Sequence, residues 1–121
     1  MRLSETYLLR AEAYFHKGDL ANAANDINVV RGRAQAKPVQ PGQISLDYIL
    51  DERMRELVVE EPRRKTLVRL NKLYERTMKY NFRVKDNMEP YHELWPIPQT
   101  AIDANTGAKL LQNPGYPGAA E

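Results

Sequence analysis

Residues 2–33 read RLSETYLLRAEAYFHKGDLANAANDINVVRGR, and the fold follows from this stretch. Apolar side chains recur there at steps of three and four residues on both sides of a Gly-Asp pair, as on one face of a helix. Gly18 suits the left-handed position that closes a helix, and Asp19 suits the N-cap of the next helix. The stretch therefore predicts two antiparallel helices. The predicted faces comprise Leu3, Tyr7, Ala11, Tyr14 and Phe15, then Leu20, Ala23, Ala24, Ile27, Val30 and Ala34.

The same hairpin resembles one tetratricopeptide unit. A small residue, an aromatic, a glycine turn, an alanine and a bulky apolar residue occur in the order typical of that repeat. One such unit cannot bury its apolar face alone and needs neighbours. An ordinary helical hairpin explains the pattern as well, so this segment leaves both interpretations open.

Composition excludes several classes of protein. The chain has 121 residues, 18 basic and 16 acidic, so its net charge of +2 gives no reason to expect nucleic acid. The absence of cysteine excludes disulfides and thiolate chemistry. Helix begins almost at once, which indicates a piece of a longer protein. An isolated piece would expose an apolar flank, so we expect self-association.

The rest of the chain predicts an all-α fold of about four helices with a long irregular carboxy-terminal segment. A proline-rich loop over 37–43 precedes a third helix, which Ser45 or Asp47 caps and which runs to about Glu60. Pro62 then interrupts it, and a fourth helix covers 63–80. We expect a single domain, 1–121, made of a hairpin (1–36), a second helix pair (45–80) and a docking tail (81–121).

No pattern in the chain predicts catalysis, a cofactor or a metal site. His16 and His92 lie far apart, and neither has carboxylates at ligand spacing. Glu52, Glu56 and Glu60 share one helix face, and neighbouring arginines favour ion pairing there over acid–base chemistry. We therefore predict no catalytic residue, no metal ligand and no cofactor.

Aromatic residues in the second half of the chain are candidates for a ligand site. Aromatic rings stack on the CH faces of sugars, and amide or guanidinium groups bind sugar hydroxyls. The candidate ligand-binding residues are Tyr74, Tyr80, Asn81, Arg83 and Tyr91. Trp95 lies in the segment 94–98, which also contains two prolines. We predict that its indole anchors the tail to the core.

Several of these segments occur in the order found in the SusD/RagB family. The resemblance covers nearly the whole chain, but only the carboxy-terminal part of a family whose members are several times longer. It is carried by Ala11-Glu12-Ala13-Tyr14, Gly18-Asp19, Ile27 to Ala34, Ile49 to Leu57 with Glu60, Arg63, Leu67 and Arg69, Leu94-Trp95-Pro96-Ile97-Pro98 and Gln112-Asn113-Pro114-Gly115-Tyr116.

The resemblance implies a surface-exposed outer-membrane lipoprotein of Bacteroidetes that binds glycans or other nutrients. Such a protein caps a SusC-like TonB-dependent transporter and is not an enzyme. This chain would supply helical scaffold and transporter-facing surface, and oligosaccharide would bind through the full-length protein. If the parent protein is anchored, the lipid anchor and the signal precede Met1, or this chain is a truncated gene product.

The chain also departs from the family. Many members have a glycine, an aromatic and an aspartate where Glu61, Arg64 and Thr66 stand here, so we expect a different turn, with Pro62 breaking the helix. Two other functions stay open. A free-standing tetratricopeptide-like module would bind a peptide in its concave face, whereas a glycan-cleaving enzyme would release product from polysaccharide.

Overall fold

The computed structural model describes residues 2–119 and confirms the predicted all-α class. Within those residues the only β structure is an isolated bridge between Gln112 and Ala119. The chain forms two compact units, Met1–Pro62 and Arg63–Glu121. The helices are α1 (Leu3–His16), α2 (Leu20–Arg33), α3 (Leu46–Glu56), α4 (Arg63–Arg69), α5 (Leu73–Tyr80) and α6 (Gln99–Ala104), with short 3-10 turns at Pro41–Gln43, Lys85–Asn87 and Pro90–Glu93.

The turn between α1 and α2 forms as predicted. Gly18 adopts a left-handed φ of 79°, and Asp19 caps α2 by accepting a 3.1 Å hydrogen bond from the backbone amide of Asn22. The side-chain amide of Asn22 also donates to this carboxylate, and together these bonds hold the pKa of Asp19 below its ordinary value. Local residues thus determine where α1 ends and α2 begins.

The core of the first unit lies where α1, α2 and α3 meet. Ala11, Ala23 and Ala24 are buried between the first two helices, where small side chains allow close approach, and Ile27 is fully buried beside them. Two details of the predicted faces are wrong. Ala34, the C-cap of α2, is exposed. Leu3, in the first turn of α1, is 70% exposed, whereas Leu8 is fully buried and takes its place in the core.

Helix α3 begins as predicted but ends earlier. Ser45 accepts a 3.0 Å hydrogen bond from the amide of Tyr48, which confirms it as the N-cap. The helix ends at Glu56 because the carbonyl of Leu57 accepts the amides of both Glu60 and Glu61 in a tight turn. The predicted extension to about Glu60 is therefore wrong, and the break precedes Pro62.

Val59, in that turn, has a left-handed φ of 70° and a side chain that is 98% exposed. A β-branched residue is strained in this region and here gains no burial in return. We expect Val59→Gly to raise the free energy of unfolding by about 1 kcal/mol. Chemical denaturation followed by circular dichroism measures the change.

Val29 provides the matched control, because it is half exposed but lies in the interior of α2. Val29→Gly should lower the free energy of unfolding by about 0.5–1 kcal/mol, since glycine disfavours helix. Equal effects of the two substitutions would contradict the proposed strain at Val59.

In the second unit the helix predicted over 63–80 is divided into α4 and α5. Asn71 adopts a left-handed φ of 53°, which asparagine tolerates better than most residues. The amide of Lys72 donates to the carbonyl of Leu67 at 2.8 Å, and the amide of Asn71 donates to that of Val68 at 3.0 Å. These two hydrogen bonds form a turn that ends α4. The spacing of apolar residues in the sequence continues across this turn, which is why the sequence predicts a single helix.

Candidate functional site

Residues 94–98 form an extended strap that three side chains of the carboxy-terminal segment hold by its backbone. Gln112 bonds both the amide of Ile97, at 2.7 Å, and its carbonyl, at 2.8 Å. Asn113 donates to the carbonyl of Trp95 at 2.7 Å, and the hydroxyl of Tyr116 donates to that of Leu94 at 2.9 Å. The strap is therefore fixed through its peptide groups.

The indole of Trp95 is 70% exposed, so the prediction that it anchors the tail in the core is wrong. The guanidinium of Arg64 lies over the ring, 4.1 Å from its centroid, and donates to the carbonyl of His92 at 2.7 Å. An arginine stacked on an indole stabilises it through cation–π attraction. Because the clamps act on the backbone, the side chain stays outside while the strap remains held.

Tyr91, one of the predicted ligand residues, is built into the tail. Its half-buried ring packs edge-on against Tyr116, with centroids 5.0 Å apart, and tilts against His92 at 4.3 Å. The backbone of Gly115 approaches so closely that a Cβ there would lie 2.3 Å from Cγ of Tyr91. These contacts give Tyr91 a packing role.

Gly115→Ala should loosen the tail, because φ at this residue is +86° and the added methyl meets the Tyr91 ring. The left-handed conformation alone costs about 1–2 kcal/mol for alanine. We expect hydrogen exchange at the amide of Ile97, which Gln112 protects, to quicken by about tenfold or more.

Gly107→Ala is the control for this experiment, because a Cβ there meets no atom within 4 Å. Its exchange at Ile97 should match that of the unsubstituted chain. Unchanged exchange in both variants would show that the Tyr91–Gly115 contact does not hold the strap.

Three other predicted ligand residues lie together at the carboxyl end of α5. Tyr80 is 56% exposed, with the guanidinium of Arg76 4.8 Å from its ring centroid. Asn81 is the C-cap of α5, and its side-chain oxygen accepts a 3.2 Å hydrogen bond from the backbone amide of Arg83, whose side chain is exposed. The fifth candidate, Tyr74, is half-buried, and its amide donates to Glu93 at 3.1 Å.

The glutamates of α3 pair with arginines both from α3 itself and from other parts of the first unit. Glu52 accepts from Arg31 at 2.8 Å and from Arg55 at 2.6 Å, and its side chain is only 6% exposed. Glu56 pairs with Arg33 at 2.8 Å and with Arg2 at 3.2 Å. The sequence predicts pairing on a helix surface, but the structure buries these carboxylates and links α3 to α2.

A further ion pair joins α1 to α2. The guanidinium of Arg10 donates to both carboxylate oxygens of Asp26 at 2.7 Å, and this bidentate contact raises the pKa of Arg10 above its ordinary value. Across residues 2–119, no group of three or more His, Cys, Asp or Glu side chains is arranged to hold a metal ion.

The two histidines have local partners. His16 contacts the ring of Phe15 edge-on, with centroids 5.4 Å apart, at the end of α1. Nδ1 of His92 accepts a 2.9 Å hydrogen bond from the amide of Glu89, where it closes a 3-10 turn. Within the described part of the chain, no helix is both long and apolar enough to cross a bilayer.

The structure also shows a groove that the sequence does not predict. It is an open groove of about 450 Å³ between α2, the loop that follows and the start of α3. We call it the loop groove, and its lining includes Arg31, Lys37, Pro38, Gln40, Gln43 and Tyr48. These residues come from a helix, a loop and the next helix, so no single sequence motif indicates the groove. The local signal for it is the pair Gln40 and Gln43 in a loop with two prolines.

Comparison with known proteins shows where the chain belongs. It is 36% identical over 122 aligned positions to a protein named "Starch-binding protein SusD" from Bacteroides thetaiotaomicron, an alignment covering 95% of this chain and 21% of that protein. It is 35% identical over 113 positions to "SusD-like protein P25" from Formosa agariphila, covering 86% of this chain and 21% of the relative.

The chain thus spans about a fifth of the length of these two curated relatives. No solved structure matches it significantly. The family model described as "SusD family" matches residues 1–116, which is almost the whole chain. With that match, and with the all-helical architecture described above, the chain belongs to the SusD family.

Proposed function

We propose that this chain is the helical scaffold and transporter-facing surface of a non-catalytic, glycan- or nutrient-binding component of an outer-membrane uptake system. The match of residues 1–116 to the SusD family carries the proposal, together with the relative named as starch-binding. The complete protein would hold an oligosaccharide over a SusC-like transporter. Its location would be the cell surface, anchored in the outer membrane.

The environment of the acidic residues supports a binding role over catalysis. Glycoside hydrolysis needs two carboxylates that face each other across the bond to be broken. Glu52 and Glu56 each contact two arginines instead, with side chains only 6% exposed. These ion pairs join α3 to the end of α2 and to Arg2, so the two carboxylates serve to hold the first unit together.

The exposed end of α5 is the best candidate for contact with sugar. Tyr80 offers an exposed ring, and Arg83 offers an exposed guanidinium two residues beyond Asn81. Stacking against the ring and hydrogen bonds to the polar groups would hold a sugar without breaking a bond. Tyr74 and Tyr91 would act mainly by packing, because both are half-buried.

Two measurements test the proposal. The first tags the complete protein that carries this chain, purifies it from detergent-solubilised outer membranes and identifies its partners by mass spectrometry. A TonB-dependent transporter should copurify with that protein and not with the tag alone. Recovery of a soluble protein that binds through a peptide segment, in place of the transporter, would favour a free-standing tetratricopeptide-like interaction module.

The second measurement follows binding and cleavage of maltoheptaose by the protein. We expect saturable binding without release of shorter products. Tyr80→Ala should weaken the binding, whereas Leu111→Ala, which alters an exposed apolar residue of the tail, should not. Product release by the purified protein would contradict the non-catalytic role. Self-association of the chain stays a prediction, and sedimentation at high concentration tests it.

A further inference from the structure

The loop groove is preorganised by hydrogen bonds that hold its backbone. Asn28, on α2, bonds the carbonyl of Val39 at 2.9 Å and its amide at 2.8 Å, and Val39 itself is buried. Nε of Arg31 donates to the carbonyl of Lys37 at 2.8 Å. These contacts fix the loop between α2 and α3, so a ligand would meet a formed surface.

The lining has the composition of a site for a polar ring. Oε1 of Gln43 accepts a 2.9 Å hydrogen bond from the backbone amide of Gln40. This bond orients the Gln43 carboxamide and does not use its Nε2 group, which can donate to a ligand. Pro38 and the ring of Tyr48 supply apolar surface, and Tyr48 is held in place because it packs against the core. The volume of about 450 Å³ lies within the range of about 300–1,000 Å³ usual for ligand pockets.

The charge of the lining is positive. Arg31 and Lys37 line the groove, and no carboxylate does. Arg31 pairs with Glu52, but Glu52 also pairs with Arg55, so one carboxylate is shared by two guanidinium groups. Lys37 adds a positive charge at an exposed position. A site that combines apolar surface, amides and net positive charge favours an anionic ligand.

We propose that the loop groove binds a uronate unit, a carboxylate-bearing sugar ring of an acidic oligosaccharide. This inference rests on the proposed function, because it takes the ligand to be a saccharide. The ammonium group of Lys37 pairs with the sugar carboxylate, and the amides of Gln40 and Gln43 bond the ring hydroxyls. The CH groups of the sugar pack on Tyr48 and Pro38.

The test titrates the ¹⁵N-labelled full chain with tetragalacturonate and, separately, with the neutral maltotetraose. Tetragalacturonate should shift amide resonances of residues 34–48 in a saturable way, and maltotetraose should shift them far less. Lys37→Gln should weaken binding of tetragalacturonate by about fivefold, and Lys37→Glu by about tenfold or more. Added salt should weaken it as well, since exposed charges are screened.

Lys17→Gln is the matched control, because Lys17 is exposed at the α1–α2 turn and does not line the groove. It should bind tetragalacturonate as tightly as the unsubstituted chain. The lysine substitutions preserve the fold, since Arg31 bonds the backbone carbonyl of residue 37 and not its side chain. Unchanged dispersion of the amide spectrum checks this directly.

Four results would overturn the inference: no saturable shift at residues 34–48, equal shifts there with maltotetraose, no effect of Lys37→Gln on those shifts, or equal shifts there with tetraglutamate, which would indicate an acidic peptide site. Copurification with the transporter is measured independently. If the complete protein copurifies with the transporter but this chain does not bind tetragalacturonate, the groove proposal alone is wrong. If tetragalacturonate binds but no transporter copurifies, the groove is a saccharide site and the proposed uptake role is wrong.

Discussion

Replacing Glu61 by alanine is expected to lower the free energy of unfolding of the first unit by about 3–5 kcal/mol. Glu61 pairs with Arg53 through Nε at 2.6 Å and Nη2 at 2.5 Å. The two side chains are only 3% and 2% exposed. Removing the carboxylate leaves a guanidinium buried without its anion, and Nη1 of Arg53 is already buried without a partner in the described structure.

Glu60 is the control for this substitution, because it is adjacent in sequence but 52% exposed. It pairs with Arg2, which is itself 42% exposed. Exposed ion pairs contribute little, so Glu60→Ala should lower stability by about 1 kcal/mol or less. Urea denaturation followed by circular dichroism compares the two variants.

A double substitution separates loss of the ion pair from loss of packing. Arg53→Met with Glu61→Leu removes both charges and fills similar volume, so it should destabilise far less than Glu61→Ala alone. If Glu61→Ala and Glu60→Ala have the same effect, the buried pair does not stabilise the unit.

Replacing Ile27 by alanine should lower the free energy of unfolding by about 2–5 kcal/mol. Ile27 lies on α2 in the centre of the core and is fully buried. The substitution removes three carbon atoms from close-packed surroundings and leaves a cavity that the helices can only partly close. Ile27→Val removes one methylene and should cost about 0.5–1.5 kcal/mol.

Val29 again offers a comparison on the same helix, because its side chain is 50% exposed. Val29→Ala should change the free energy of unfolding by about 0.5 kcal/mol or less. Denaturant unfolding of the three variants should therefore rank them Ile27→Ala, Ile27→Val and Val29→Ala. Any other order would show that α2 does not pack against α1 through Ile27.

Signals that act within a few residues were predictable. Gly18 and Asp19 determine the first turn, and Ser45 determines the start of α3, because each satisfies backbone groups next to it. The break at Asn71 has a similar local cause, but the apolar period of Leu67 and Leu73 continues across it and conceals the turn.

Contacts between distant residues were not predictable. The exposure of Trp95 depends on Asn113, eighteen positions away, which holds the strap by its backbone and not by its indole. Glu52 pairs with Arg31 on α2, twenty-one positions away, as well as with Arg55, three positions away. Charge alone does not indicate that the distant arginine takes part.

By itself the sequence determined the all-α class, the opening hairpin and membership of the SusD family, because helical period, caps and motif order are properties of neighbouring residues. Only the tertiary structure decided which carboxylates are buried, which face of Trp95 is covered and where the loop groove forms. Those features depend on which segments meet once the chain has folded. The pattern of charge and hydrophobicity along the chain restricts which segments can come into contact but does not determine which contacts form.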